Sequence, residues 1–299
     1  MQLDISQLKL LYKENVNIMA LFREVSGLHS NSQEAILTSY DLQSGSYINA
    51  LGDPDFKKRH DRYCAEIAGL LFEFRPGSVL EAGIGEATTL CSVLSQGKDR
   101  SVKFAGFDIS WSRVDCARRH ADHSGFPDLT LSTGDLSSIP FVDDSFDVVY
   151  TAHAIEPNHG REKEILLQLL RVARRRVALF EPSYELGGEA TRRRIEEHGY
   201  CRGLPSIAEE IGAKIVLHQL LQNPMRPENA TAVLVLEKTG GGTSDKGQQF
   251  GCPRCRARLR LVKQQWFCDG CSLVYPVISG IPCLLRGNGI LATHFPEHP

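Results

Sequence analysis

The run Val79-Leu80-Glu81-Ala82-Gly83-Ile84-Gly85-Glu86-Ala87 takes an apolar strand through two glycines and directly into a helix-forming stretch. The same strand-to-helix order recurs downstream. Short β-rich runs at 78–82, 103–108, 129–133, 146–151 and 176–181 alternate with helix-like stretches around 87–96, 111–123 and 161–174. Strands joined by helical crossovers predict an α/β chain with a doubly wound, Rossmann-like sheet, covered on both faces and binding ligands at the carboxyl ends of its strands. After Pro205 come a helix and then two strand-like runs, 214–221 and 230–237, with no helix between them, so these two are expected to pair antiparallel.

Upstream, Leu3, Leu8, Leu11, Val16, Ile18, Leu21, Phe22 and Val25 recur at helical spacing, which predicts one or two amphipathic helices stopped at Gly27. A further helix over 55–74 ends at the turn Arg75-Pro76-Gly77. Between them, Ser39-Tyr40-Asp41-Leu42-Gln43-Ser44-Gly45-Ser46-Tyr47 has the mixed aromatic, acidic and glycine character of a closing lid. Residues 1–55 are therefore expected to form an N-terminal helical lid and 56–239 the catalytic core. The stretch Thr239-Gly240-Gly241-Gly242-Thr243-Ser244 offers almost no apolar surface, so 240–249 is expected to be a flexible linker and 250–299 a second small domain.

The chain of 299 residues is 42% hydrophobic, enough for a full core and a small extra module. Its 34 Lys+Arg against 36 Asp+Glu exclude a protein that holds nucleic acid through global charge alone. No apolar run approaches the length of a membrane span, and the start Met1-Gln2-Leu3-Asp4 lacks the basic and then apolar layout of a signal, so the expected setting is cytoplasmic, without membrane association. Nothing in the sequence selects an oligomeric state.

The glycine loop lacks both the third glycine of a dinucleotide fingerprint and the Lys-Ser/Thr of a phosphate loop, which disfavours a pyrophosphate ligand. Asp108 ends the second strand, where an acid commonly accepts hydrogen bonds from ribose hydroxyls. Gly134-Asp135-Leu136 ends the third, and Pro140-Phe141-Val142-Asp143-Asp144-Ser145-Phe146 leads into the fourth. In this order of motifs, residues 60–238 resemble the class I S-adenosylmethionine-dependent methyltransferases. The resemblance implies that Glu81, Gly83 and Gly85 line the methionine part of the donor, that Asp108 holds its ribose and Ile109 packs on its adenine. It further implies that Asp135 and Leu136 read the adenine edge, that Thr151 contacts the donor, and that Tyr40 touches the donor's carboxylate as a lid tyrosine does in some relatives.

In such a family the loop after strand four faces the reactive methyl group. That places His153 as the leading general base, with Glu156 or His159 orienting it, and Glu181 after strand five as another wall of the crevice. Direct methyl displacement gains chiefly from alignment and exclusion of water.

Nine cysteines are unevenly placed, five of them between 252 and 283. Cys252-Pro253-Arg254-Cys255 and Cys268-Asp269-Gly270-Cys271 form two C-x-x-C knuckles suited to a closed, structural zinc site, while Cys283 reads as core. The stretch from Leu273 to Leu285 resembles the end of small zinc-ribbon proteins that activate methyltransferases, here fused in one chain. Arg254, Arg256, Arg258 and Arg260 would share one face if this stretch were a strand, and Arg171, Arg174, Arg175, Arg176 and Arg192, Arg193, Arg194 read as helix surface or helix ends. The expected activity is methyl transfer to a small or medium polar metabolite such as a sugar or biosynthetic intermediate. Methylation of an RNA base is the alternative, and a non-catalytic donor-binding adaptor is a third reading.

Overall fold

A computed structural model describes residues 4–97, 101–239 and 249–297. The expected 240–249 linker falls, except for Gln249, outside the described residues. Helices α1 (Ile5–Lys13) and α2 (Ile18–Ser26) form as the spacing predicts. Asn17 caps α2 by accepting from the Ala20 amide, and Gly27 closes it at φ 68°, a conformation that costs glycine little. The segment read as a lid is helical: α3 (Gln33–Leu42) and α4 (Ser46–Ala50) meet at Gly45, and α5 (Pro54–Glu73) follows with Pro54 in its first turn.

The core then alternates β1 (Ser78–Ala82), α6 (Thr88–Gln96), β2 (Lys103–Asp108), α7 (Trp111–His123), β3 (Thr130–Thr133), β4 (Phe146–Ala152), α8 (Glu162–Val172) and β5 (Ala173–Pro182). Two helices, α9 (Glu189–His198) and α10 (Leu204–Glu210), lead to the hairpin β6 (Lys214–Leu220) and β7 (Thr231–Glu237). The seven strands are ordered β3-β2-β1-β4-β5-β7-β6. β1 through β5 pair in parallel, and β7 runs antiparallel to both β5 and β6. All five residues of β1 are buried, as expected of a central strand with helices on both faces.

The C-terminal segment packs into the core. Val142 donates to Gln249 O at 3.1 Å and Gly251 to Pro140 O at 3.0 Å, bringing the Phe141 and Phe250 rings to 5.2 Å. Trp266 meets Phe250 edge-on at 4.9 Å. The small strands β8 (Arg260–Val262), β9 (Gln265–Cys268), β10 (Leu273–Tyr275) and, after the pair β11 (Val277–Ile278) and β12 (Ile281–Pro282), β13 (Ile290–Leu291) complete this segment. Next to β12, Cys283 bridges Thr133 on the edge strand β3, and the Leu284 amide donates to Thr133 Oγ1 at 2.9 Å. An exposed strand edge is thereby covered. Phe141, Ile139 and Leu136 share one apolar cluster with Phe250, Leu273 and Leu284.

Two readings of the arginines are corrected. Residues 254–259 lie outside any strand and Arg256 has φ 67°, so no single strand face carries the four alternate arginines; only Arg260 reaches β8. Arg174 is buried within β5, and Arg171 stands at the end of α8 as one of the two readings had it, but with its side chain only 9% exposed rather than on a helix surface. Arg171 donates to the Phe141 and Ile139 carbonyls and pairs with Asp143 at 2.8 Å. It ties α8 to the loop that also receives the C-terminal segment.

The sulfur atoms of Cys252, Cys255, Cys268 and Cys271 lie within 4.8 Å of one another, with Cys255 and Cys268 at 3.4 Å. A tetrahedral zinc with Zn–S near 2.3 Å needs sulfurs about 3.8 Å apart, so the cluster fits a zinc ribbon. Metal analysis of protein purified without chelator should find about one zinc per chain. Stripping it, or Cys255→Ser, should cost about 3 kcal/mol or more and lower the melting midpoint by roughly 5 °C or more, because the ribbon shares the Phe141–Phe250 core; an unchanged melt in calorimetry would refute this.

Candidate active site

A cleft of about 370 Å³ opens at the carboxyl ends of β1, β2 and β4, under α3 and α4. Its floor is the turn Gly83-Ile84-Gly85. Gly83 has φ 80° and a Cβ there would lie 2.3 Å from that of Ala154, so the loops after β1 and β4 touch only because glycine stands at 83. The Gly83 and Ile84 amides both donate to Phe107 O at 2.9 Å, and Gly85 donates to Asp108 Oδ2 at 2.9 Å. The Ser110 amide takes the other Asp108 oxygen at 3.0 Å, so the carboxylate is fixed at the end of β2.

Glu81 is buried and accepts from Tyr150 Oη at 2.8 Å. Burial pushes its carboxyl up to about 8, against the pull of the Tyr150 hydrogen bond. Asp135 accepts from Ser137 N and Oγ at 2.6 Å and from Gln33 Nε2 at 2.5 Å, which joins α3 to the wall beyond β3. Tyr40, Glu81, Gly83, Gly85, Asp108, Ile109, Asp135 and Leu136 all line this one cleft, and His153 and Glu156 line it as well.

Two of the expected site residues are placed elsewhere. Thr151 is fully buried within β4, and the Glu181 carboxylate lies behind the cleft wall, accepting from the Ala154, Ile155 and Glu156 amides at 3.0, 3.1 and 3.2 Å. Glu181 therefore braces the loop after β4 rather than forming a wall. Burial raises its pKa to about 7. His159 pairs with Glu162 at 2.8 Å and does not orient His153; Glu156 does, at 2.8 Å from Nδ1. His153 itself takes φ 56°, and its Nε2 lies 3.0 Å from Thr231 Oγ1. Burial opposes the charged imidazole, but the charge and hydrogen bond of Glu156 outweigh it and raise the pKa above 6.5.

Sequence reasoning missed the pair that clamps the lid. Glu86, 1% exposed, accepts from the Gly45 and Ile48 amides at 2.9 and 2.8 Å, holding the start of α4 against the glycine loop. Arg113, also buried, lies 4.0 Å from Glu86 with its guanidinium over the Tyr40 ring at 4.9 Å and the Tyr47 ring at 5.0 Å. Asp41 adds a second fastening by accepting from Ser110 Oγ at 2.7 Å. The available signal was Glu86 itself, one residue past the second glycine, but its partners are 38 to 41 residues away in sequence. Glu86→Gln should weaken this clamp by about 1.5–3 kcal/mol, the worth of hydrogen bonds to a charged group. Amide exchange at Gly45 and Ile48 should then accelerate more than tenfold; unchanged protection would dismiss the clamp.

Comparison with known proteins bears on this geometry. Residues 79–176 match the methyltransferase domain family. Norajmaline N-methyltransferase of Rauvolfia serpentina is 29% identical over 100 residues, 33% of each chain, so the match spans a third of that relative's length. Among solved structures, magnesium protoporphyrin IX methyltransferase from Synechocystis PCC 6803, with bound S-adenosylhomocysteine, superposes with TM-score 0.55 at 15% identity, covering 70% of this chain and all of that one. A chain from the complex of the Haloferax volcanii Trm112 methyltransferase activator with a methyltransferase gives TM-score 0.50 at 16% identity over 65% of this chain and 96% of that one. No described helix is long and apolar enough to cross a membrane. Residues 79–176 thus match a methyltransferase domain, and the Rossmann-like sheet around them has the fold of a methyltransferase structure that holds S-adenosylhomocysteine.

Proposed function

We propose that the protein transfers a methyl group from S-adenosylmethionine to a small or medium polar metabolite in the cytoplasm. The observation that carries this reading is that the glycine floor, Glu81, Asp108 and Asp135 converge on one cleft that α3 and α4 roof over. The residues suit the donor: bare backbone at Gly83 and Gly85 for close approach, a carboxyl at Glu81 for the ammonium of the methionine part, a fixed carboxylate at Asp108 for ribose hydroxyls. Ile109 and Leu136 offer apolar surface to the adenine, Asp135 its edge partner, and Tyr40 a phenol at the lid. When bound, the donor supplies an electrophilic sulfonium methyl. The protein's own contribution is to align the acceptor, close α3 and α4 over the cleft and take up a proton.

His153 is the base in this reading and Glu156 orients it. With Nδ1 held by Glu156, the working atom is Nε2, which must exchange its Thr231 Oγ1 contact for the acceptor's proton. The roof of helices over the cleft favours a metabolite over an RNA base, which would need an open approach. The ribbon, covering β3 behind Asp135 and Leu136, braces the donor wall in the manner of a fused activator.

Calorimetric titration with S-adenosylhomocysteine tests the donor half. A neutral Glu81 must lose its proton to pair with an ammonium, so affinity should climb as pH rises to about 8 and flatten above it, and Glu81→Gln should remove the slope. No binding at any pH would end the proposal. For the base, kcat/KM should rise with pH through a value above 6.5, since the active form is the neutral imidazole. His153→Gln should cut turnover by roughly 10²–10⁴ with donor affinity nearly intact, and Glu156→Gln should move the rising limb to lower pH. Equal turnover in the His153 variant would remove it from the chemistry.

A further inference from the structure

The carboxylates and the guanidinium groups that line the cleft differ in what holds them. Each carboxylate is engaged by protein: Glu81 by Tyr150, Glu86 by the lid amides, Asp108 by Gly85 and Ser110, Asp135 by Ser137 and Gln33, Glu156 by His153. Glu81, Asp108 and Asp135 are the ones read above as holding the donor, while Glu156 stands beside His153. Of the arginines that line the cleft, Arg113 lies beside Glu86; the others are Arg194 of α9 and Arg226 of the turn between β6 and β7. Among the described residues, Arg194 contacts His198 Nε2 at 3.2 Å and the Tyr200 ring at 5.8 Å, neither of which supplies a negative charge, and its buried Nε has no hydrogen-bond partner. Arg226 is exposed at the cleft rim.

Two further polar groups that line the cleft are unsatisfied. Asn229 is 6% exposed and its Oδ1 has no partner; Tyr63 is 2% exposed and its hydroxyl has none. Both line the cleft, and the Tyr63 ring lies 5.9 Å from that of His153. A buried polar atom left without a partner costs about 1–3 kcal/mol, so fixed groups of this kind at a cleft wall mark where a ligand's own polar atoms complete the set. Met225 and Tyr200 also line the cleft and offer apolar surface.

Resting on the methyltransferase reading, we infer that the acceptor is an organic anion whose carboxylate or phosphate is anchored by Arg194 and Arg226, with Asn229 and Tyr63 holding its polar atoms near His153. The anion is the anchor and not the atom that is methylated, so the product keeps its charge. A guanidinium presents paired N–H groups that match either a carboxylate or a phosphate.

The test incubates the full chain with methyl-tritiated donor and a protein-free, nuclease-treated small-molecule extract. Labelled product should be retained on an anion-exchange resin at neutral pH. Phosphatase treatment then separates the two chemistries: label released from the resin indicates a phosphate anchor, label that stays indicates a carboxylate. Arg194→Gln should raise the extract concentration needed for half-maximal labelling about tenfold or more, Arg194→Lys should restore part of it, and both should bind S-adenosylhomocysteine like the parent. Label in the flow-through, label only in nuclease-sensitive material of an untreated extract, or an Arg194→Gln protein indistinguishable from the parent would overturn the anionic acceptor while leaving donor binding intact. Absence of donor binding in the parent protein would instead overturn the methyltransferase reading on which the inference rests.

Discussion

The site depends on one backbone arrangement, the hooking of the turn after β1 onto the end of β2. Phe107 O accepts two amides from Gly83 and Ile84, and Asp108 receives a third from Gly85. These bonds are short-range in space but join positions more than twenty residues apart, and they fix the floor and one wall of the cleft together. A side chain at 83 would force the loop after β4 away, and one at 106 would lie 2.2 Å from Ile84 Cδ1, so the turn tolerates no Cβ on either side. Two of these bonds join backbone to backbone, and the third ties the turn to the Asp108 carboxylate, so the floor and the acid at the end of β2 are fixed together.

From that floor, three separately encoded pieces converge. The lid helices are fastened by Glu86 and Asp41, the loop after β4 is braced by Glu181, and the wall beyond β3 is backed by the ribbon through Phe250 and Leu284. The first two are carboxylates receiving backbone amides or a hydroxyl, and hydrogen bonds to a charged acceptor offset the rotamer freedom lost in ordering Glu86 and Glu181; the third joins apolar contact to the Leu284–Thr133 hydrogen bond. Titration follows from the same burial. Glu81 near 8 and Glu181 near 7 are neutral or half-neutral at working pH because little water reaches them, whereas His153 is held the other way by Glu156.

Much of the frame was legible. The β2 limits 103–108 and the α7 limits 111–123 agree with the sequence expectation, because Asp108 and Ser110 act locally as strand end and helix cap. The two C-x-x-C knuckles bring four thiols together, as their spacing requires. The arginine stretches were legible only in part: Arg192 and Arg193 lie exposed on α9 and Arg171 in the last turn of α8, but a run of like charge does not show which of its side chains turn inward. Arg171 turns inward to carbonyl oxygens, and Arg194 turns toward the cleft.

The sequence alone determined the alternation of strands and helices, the glycine turn and the acids at the strand ends, because each is set by residues within a few positions of one another, and it determined the thiol quartet because two C-x-x-C pairs separated by twelve residues have few other uses. The tertiary structure decided which acids face the ligand and which brace loops. Glu181 and Glu86 look alike as single letters, and only the amides brought to them from elsewhere distinguish a wall brace from a lid clamp. It also decided that a charged helix lends Arg194 to the cleft, since a helix face acquires its meaning only from what packs beside it.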